Sequence, residues 1–208
     1  YEKSKVLSAR AFTLAQRGRG YCWRGLEVRF PGITPRLKAD GLAALAKAKK
    51  EHVPLLYWSA ASLGAAITLG GIDHPELLID WPIVRALLER GLALDDTWNR
   101  GALHELMITV ESQGEALGGS EERAMKHFTR AVELQQNLSP GPYVALAMGI
   151  AKAKQDAGQF EKLLKQALDI DPEKDPANRL VTLLTKKRAQ VLLDHIDDII
   201  LKRPSPIG

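Results

Sequence analysis

Cysteine is nearly missing from this sequence: Cys22 is the one instance in 208 residues. No intramolecular disulfide can form, and cysteine usage carries no information on redox compartment. No unbroken apolar stretch of 18 residues is present, which argues against a membrane-spanning helix. Five-residue runs that alternate polar with β-branched residues are also missing, so strands are not expected. Charge of one sign is scarce. The 29 Lys and Arg face 25 Asp and Glu, and the net charge of +4 is a weak excess. Bases alternate with acids, as in Glu121-Glu122-Arg123. The densest basic spots are Lys47-Lys49-Lys50, Arg17-Arg19 and Lys186-Lys187-Arg188. They read as solvated helix faces, and no nucleic-acid partner is expected. No nucleophile stands beside a base, so the chain reads as a non-enzyme. No signal peptide is visible, yet Tyr1 replaces an initiating methionine, and a removed export signal fits that start.

What is present is a repeated helical spacing. Val84, Leu88 and Gly91 have the pattern small or apolar, large apolar four on, small three further. Ala124, Phe128, Ala131 and Phe160, Leu164, Ala167 repeat it, and Gly41, Leu45, Ala48 is a looser copy. Such residues share one helix face, and the small ones admit a close neighbour. The copies close at 48, 91, 131 and 167, the period of stacked helix hairpins, slightly stretched. Gly18, Cys22 and Gly25 echo the pattern, which marks Cys22 as a packing residue rather than a reactive thiol.

Turn and cap signals place the helices. Glu2 to Phe30 reads as one long helix or one briefly broken at Gly18 and Gly20, with Pro31-Gly32 as the stop. Thr34-Pro35 starts a helix from Arg36 to Lys50, and Val53-Pro54 opens another from Leu55 to Leu69. A short turn follows at Asp73 to Pro75, then a helix from Asp80-Trp81-Pro82 to Leu94. Asp95 or Asp96 caps a helix to Ser112, and Ser120 caps one to Gln136. Pro140-Gly141-Pro142 reads as a hinge before Tyr143 to Asp156, and Gln159 to Ile170 follows Gly158. Asp175-Pro176 caps the last helix, to Leu201. The expectation is an all-α fold of about 9–11 helices, with short connections. One domain covers residues 1–202, and 203–208 form a C-terminal tail in which the prolines favour fraying.

The most informative block is uncharged. No Asp, Glu, Lys or Arg occurs from Val53 to Gly71. A helix apolar or small all round is either buried on all sides or lines an apolar cavity. Leu56, Tyr57, Trp58, Leu63 and Ile67, with Tyr143 downstream, are candidates for the wall of an apolar channel or ligand site. Core packing is the alternative for each. His104, Glu105 and His127 invite a metal, but no His-x-x-x-His, Glu-x-x-His or cysteine cluster supports one. His104 with Glu105 reads as a hydrogen-bonding pair, and no cofactor or metal is expected. Gly118-Gly119-Ser120 faintly suggests a phosphate cradle, but no strand precedes it and no Lys-Thr follows. It reads as a loop and N-cap.

Several strings together resemble a known family. They are Leu56-Tyr57-Trp58-Ser59-Ala60-Ala61, Leu87-Leu88-Glu89-Arg90-Gly91, Gly101-Ala102-Leu103-His104-Glu105, Gly118-Gly119-Ser120-Glu121-Glu122-Arg123-Ala124, Gly141-Pro142-Tyr143-Val144 and Leu168-Asp169-Ile170-Asp171-Pro172. In that order, over nearly the whole chain, they are similar to the T-component family associated with TRAP transporters (TatT-like proteins). The resemblance implies an exported, lipid-anchored periplasmic protein. It implies tetratricopeptide-like helix hairpins closed into a compact bundle around an apolar pore. It implies as partners the extracytoplasmic solute-binding protein of a TRAP transporter and a hydrophobic small molecule. The lipid-bearing cysteine of that family is not in this chain. Long first and last helices offer surfaces for a homo-oligomer. A tetratricopeptide scaffold that grips a peptide is the alternative function, but such grooves display charged clamps, and the candidate inner helix here has none.

Overall fold

The computed structural model describes residues 2–201, and the expected tail 203–208 lies outside them. Helices and turns make up the described residues, with no strand among them. The all-α expectation holds. The chain groups into two compact units, Tyr1–Trp98 and Asn99–Gly208.

In the first unit α1 (Glu2–Arg29) is the long helix of the two expected forms, unbroken at Gly18 and Gly20. The reason lies in packing. A Cβ on Gly18 would stand 3.6 Å from Ser62 Cβ, and one on Gly25 would stand 3.1 Å from Leu55 Cδ1. These glycines lie against α3 (Val53–Gly70), with α1 running antiparallel to it. Close approach there offsets the intrinsic helix cost of glycine, about 1 kcal/mol per residue. α4 (Trp81–Leu94) covers another side of α3, where Gly64 faces Val84. Arg19 of α1 reaches Asp80 at 2.9 Å, a carboxylate that is almost fully buried.

The expected helix from Arg36 to Lys50 is a shorter one. α2 (Ile33–Asp40) stops at Gly41, whose φ of 53° no β-carbon residue adopts cheaply. A 3-10 turn, Gly41–Leu45, follows and still buries Leu45 and Ala48. Arg90 of α4 then donates to the carbonyls of Ala46 and Ala48, at 3.0 and 2.6 Å. Thr34 was expected as a cap. Instead Glu27 ends the turn, accepting from the amides of Gly32 and Thr34 at 2.8 and 2.9 Å.

The second unit begins where Asn99 and Arg100 take φ of 46° and 56° and Gly101 takes 82°. That left-handed run prevents a helix from starting at Asp95, and α5 spans Ala102–Glu111. α6 (Glu121–Leu134) starts at Ser120, whose Oγ accepts from the Arg123 amide, as expected of a cap. The expected helix from Tyr143 to Asp156 is present as one continuous run, Gly141 to Lys154, with a wider turn in its middle. α7 (Gly141–Leu146) widens into a π segment, Ala147–Ala151, and ends as α8 (Lys152–Lys154). α9 (Ala157–Leu168), α10 (Arg179–Asp194) and the short α11 (Ile196–Ile199) complete it. Phe160, Leu164, Ala124, Ala131, Ala147, Ala167 and Ala189 have no exposed surface, so the copy Phe160, Leu164, Ala167 is all core, while in Ala124, Phe128, Ala131 the alanines are core and Phe128 packs against it half-buried. Glu111, 1% exposed, is held by Arg123 at 2.8 Å.

The loop before α6 is tight. A Cβ on Gly119 would lie 2.5 Å from the Glu111 carbonyl oxygen and 2.9 Å from the Gly114 backbone. Gly119→Ala should therefore cost about 1–3 kcal/mol, since backbone cannot turn aside as a side chain can. Ser120→Ala next to it should cost about 1 kcal/mol. Urea unfolding of the two variants checks the order, and equal midpoints would contradict it.

Candidate functional site

The candidate residues on α3 divide between two faces. Leu56 and Leu63 are wholly buried and Ile67 is 5% exposed, so these three are sequestered from solvent inside the first unit. Spacings of three and four place Tyr57, Trp58, Ala61, Ala65 and Leu69 on the opposite side, and Ile72 follows in the next turn, past Gly71 with its φ of 49°. Trp58 is 58% exposed, Leu69 42% and Ile72 95%. Tyr57, Ala61 and Ala65 are half-buried. No charged side chain interrupts this accessible face. Together with its flanking turns, Lys50–Asp73, α3 is long and apolar enough to cross a membrane by length and composition. It packs along α1 and α4, as a core helix of one unit does.

An aromatic group marks the N-terminal half of this face. The Tyr57 ring meets Trp58 edge-on at 5.1 Å and Trp98 at 4.9 Å. Trp98, not among the expected channel residues, is placed by an ion pair: Lys50, just before α3, holds Asp95 at 3.0 Å, just after α4. Lys50 and Thr97 also hold the Asp95 carboxyl below its usual range. Trp98 follows three residues on, its amide bonded to the Asp95 carbonyl. No sequence spacing links positions 57 and 98, so only the helix pairing reveals this contact.

Tyr143 belongs to the second unit. It is 7% exposed, stands edge-on to Phe128 at 5.3 Å and donates its hydroxyl to Asn137 Oδ1 at 2.5 Å. Burial raises its pKa above the ordinary phenol value.

The expected pairing of His104 with Glu105 gives way to a different arrangement. His104 Nδ1 lies 2.8 Å from His127 Nδ1. One of these nitrogens must carry a proton and the other must not. Glu105 accepts from Gln135 Nε2 at 3.0 Å, and its carboxylate lies where a side chain on Gly141 would stand. No group of three potential metal ligands occurs among the described residues. Burial raises the Glu105 pKa, and the Gln135 hydrogen bond only partly opposes that shift.

The folded state holds the Glu105 proton more tightly than the unfolded chain does. This residue's contribution is therefore most favourable below the ordinary value of 4.5 and is lost as pH rises toward the raised folded value. Glu105→Gln should remove that loss, so its stability relative to wild type should climb with pH and then level off. Urea midpoints of both proteins between about pH 4 and 8 measure the difference; a flat difference would show that Glu105 titrates normally.

A family model described as TRAP transporter T-component matches residues 1–200. An uncharacterized protein of Treponema pallidum (strain Nichols) is 26% identical over 208 residues, covering 97% of this chain. The chain spans 64% of that protein's length.

Proposed function

The chain belongs to the TRAP transporter T-component family, and from that premise we propose that it is a periplasmic accessory of a TRAP-type transport system. In this reading it binds the extracytoplasmic solute-binding protein and passes a hydrophobic ligand along the uncharged face of α3. The observation that carries the ligand part is the accessible line of α3 from Tyr57 and Trp58 to Leu69, in a helix that carries no charge and is itself core. The helix itself offers an apolar solute no fixed charge, and contact with it exchanges water for carbon. A tryptophan that buries its ring against such a solute removes about 150–250 Å² of surface from water. Rigid support matters as much. Leu56, Leu63 and Ile67 on the reverse of the helix lock its rotation, so the face stays in one place.

Native mass spectrometry tests the proposal, with the exported protein alone and mixed with the solute-binding protein of its transporter. A stable complex, or a co-purified apolar molecule, is the expected result. Trp58→Ala should weaken uptake of that molecule about tenfold, from the lost contact area, with a stability change within about 0.5 kcal/mol because the ring is exposed. A protein that carries no ligand and ignores the solute-binding protein would sink the reading.

A further inference from the structure

The second unit contains a cleft that the transport reading does not use. It has a volume of about 270 Å³ and opens between the turn after α6, the start of α7 and the end of α9. At about 30 Å³ per water molecule it has room for a solute of about nine non-hydrogen atoms. The Tyr143 ring, Leu138 and Ile170 give it apolar lining. The polar lining carries both signs. Asp169 and Asp171 contribute carboxylates, Lys174 an ammonium, and Asn137 and Gln166 primary amides.

These groups are largely uncommitted. Asp169, Gln166 and Lys174 make no side-chain hydrogen bond or ion pair among the described residues. The opposite charges of Asp169 and Lys174 line one cleft without pairing. Asp171 uses Oδ1 on the Glu173 amide and keeps its second oxygen. Asn137 spends its oxygen on the Tyr143 hydroxyl, which leaves both amide hydrogens. Lys186 of α10 donates to the Ile170 carbonyl at 2.5 Å and forms no ion pair with either carboxylate among the described residues. Asp169 is also misplaced for stability. It sits at the C-terminal cap of α9, where the helix dipole disfavours an anion.

We propose that this cleft binds a small zwitterion of the α-amino-acid kind. Its ammonium would meet Asp169 and Asp171 at the negative end of α9, and its carboxylate would meet Lys174 and the two amides. A short apolar side chain would lie on Tyr143 and Ile170. A simple anion would face two carboxylates, and a simple cation would leave Lys174 unanswered. The size limits the side chain to a few carbons. The inference does not rest on the transport reading, because no solute-binding protein takes part.

The test uses saturation-transfer NMR on the whole chain with the twenty proteinogenic L-amino acids in one mixture. A signal from one or more members with a small apolar side chain is expected. Lys174→Ala and Asp169→Asn should each lower the affinity at least tenfold. Both positions are exposed, so folding should survive. Asp169→Asn should in addition raise the melting temperature of the free protein, because it removes an anion from the helix end. N-acetyl and methyl-ester forms of the bound amino acid, each lacking one charge, should bind at least tenfold more weakly. No signal from the mixture would overturn the proposal. So would a signal that survives both substitutions, or a single-charge derivative that binds as tightly as the parent amino acid.

Discussion

Where Gly25 meets Leu55 and Gly18 meets Ser62, α1 lies against α3 with no side chain of its own between them. That close approach lets an uncharged helix become the centre of the first unit. Dispersion falls off steeply with separation, so helices that approach closely gain contact along their whole length. The same device recurs in the second unit, where Ala124, Ala131, Ala147, Ala167 and Ala189 are fully buried among larger neighbours such as Phe160 and Leu164. Small residues at helix crossings thus set the spacing in both units, and the larger apolar residues fill what remains.

Because α1 and α4 both pack on α3, the third side of that helix is available for another use. Its lack of charge has two consequences at once. Inside, Leu56 and Leu63 require no polar partners. Outside, Trp58 and Leu69 present carbon to solvent, which a purely structural helix would replace with charged side chains. The family membership gives this exposed apolar line a setting, a transport system in which a solute has to be moved. In the second unit the polar lining follows the opposite logic. Glu105 is buried against Gln135 at a cost in solvation, and Asp169 and Lys174 stay unpaired at the surface of a cleft.

Polar groups at the joints hold these parts in place. Glu27 closes the turn after α1, Arg90 caps carbonyls after the Gly41–Leu45 turn, and Arg123 covers the buried Glu111. Each stands between elements rather than within one. The Lys50–Asp95 pair shows the functional reach of such a joint, since it fixes the segment that brings Trp98 onto Tyr57.

The sequence by itself determined the all-α class, the repeated apolar spacing and the uncharged helix. Each is a local property: side-chain pattern at helical spacing, cap chemistry at Ser120, and the absence of charge from Val53 to Gly71. The same holds for the buried faces, since Val84, Leu88, Phe160 and Leu164 are core as their spacing required. Tertiary structure decided the rest. Gly18 and Gly20 break nothing because α3 supports the helix around Gly18, and the helix expected beyond Asp40 yields to the left-handed φ of Gly41. Which side of α3 is buried depends on where α1 and α4 lie, a choice that no residue of α3 makes alone. The Tyr57–Trp98 contact, the His104–His127 pair and the cleft beside Tyr143 join residues distant in the chain. Local physics chooses the elements, but a site forms where several elements meet, and that meeting depends on packing summed over the whole unit.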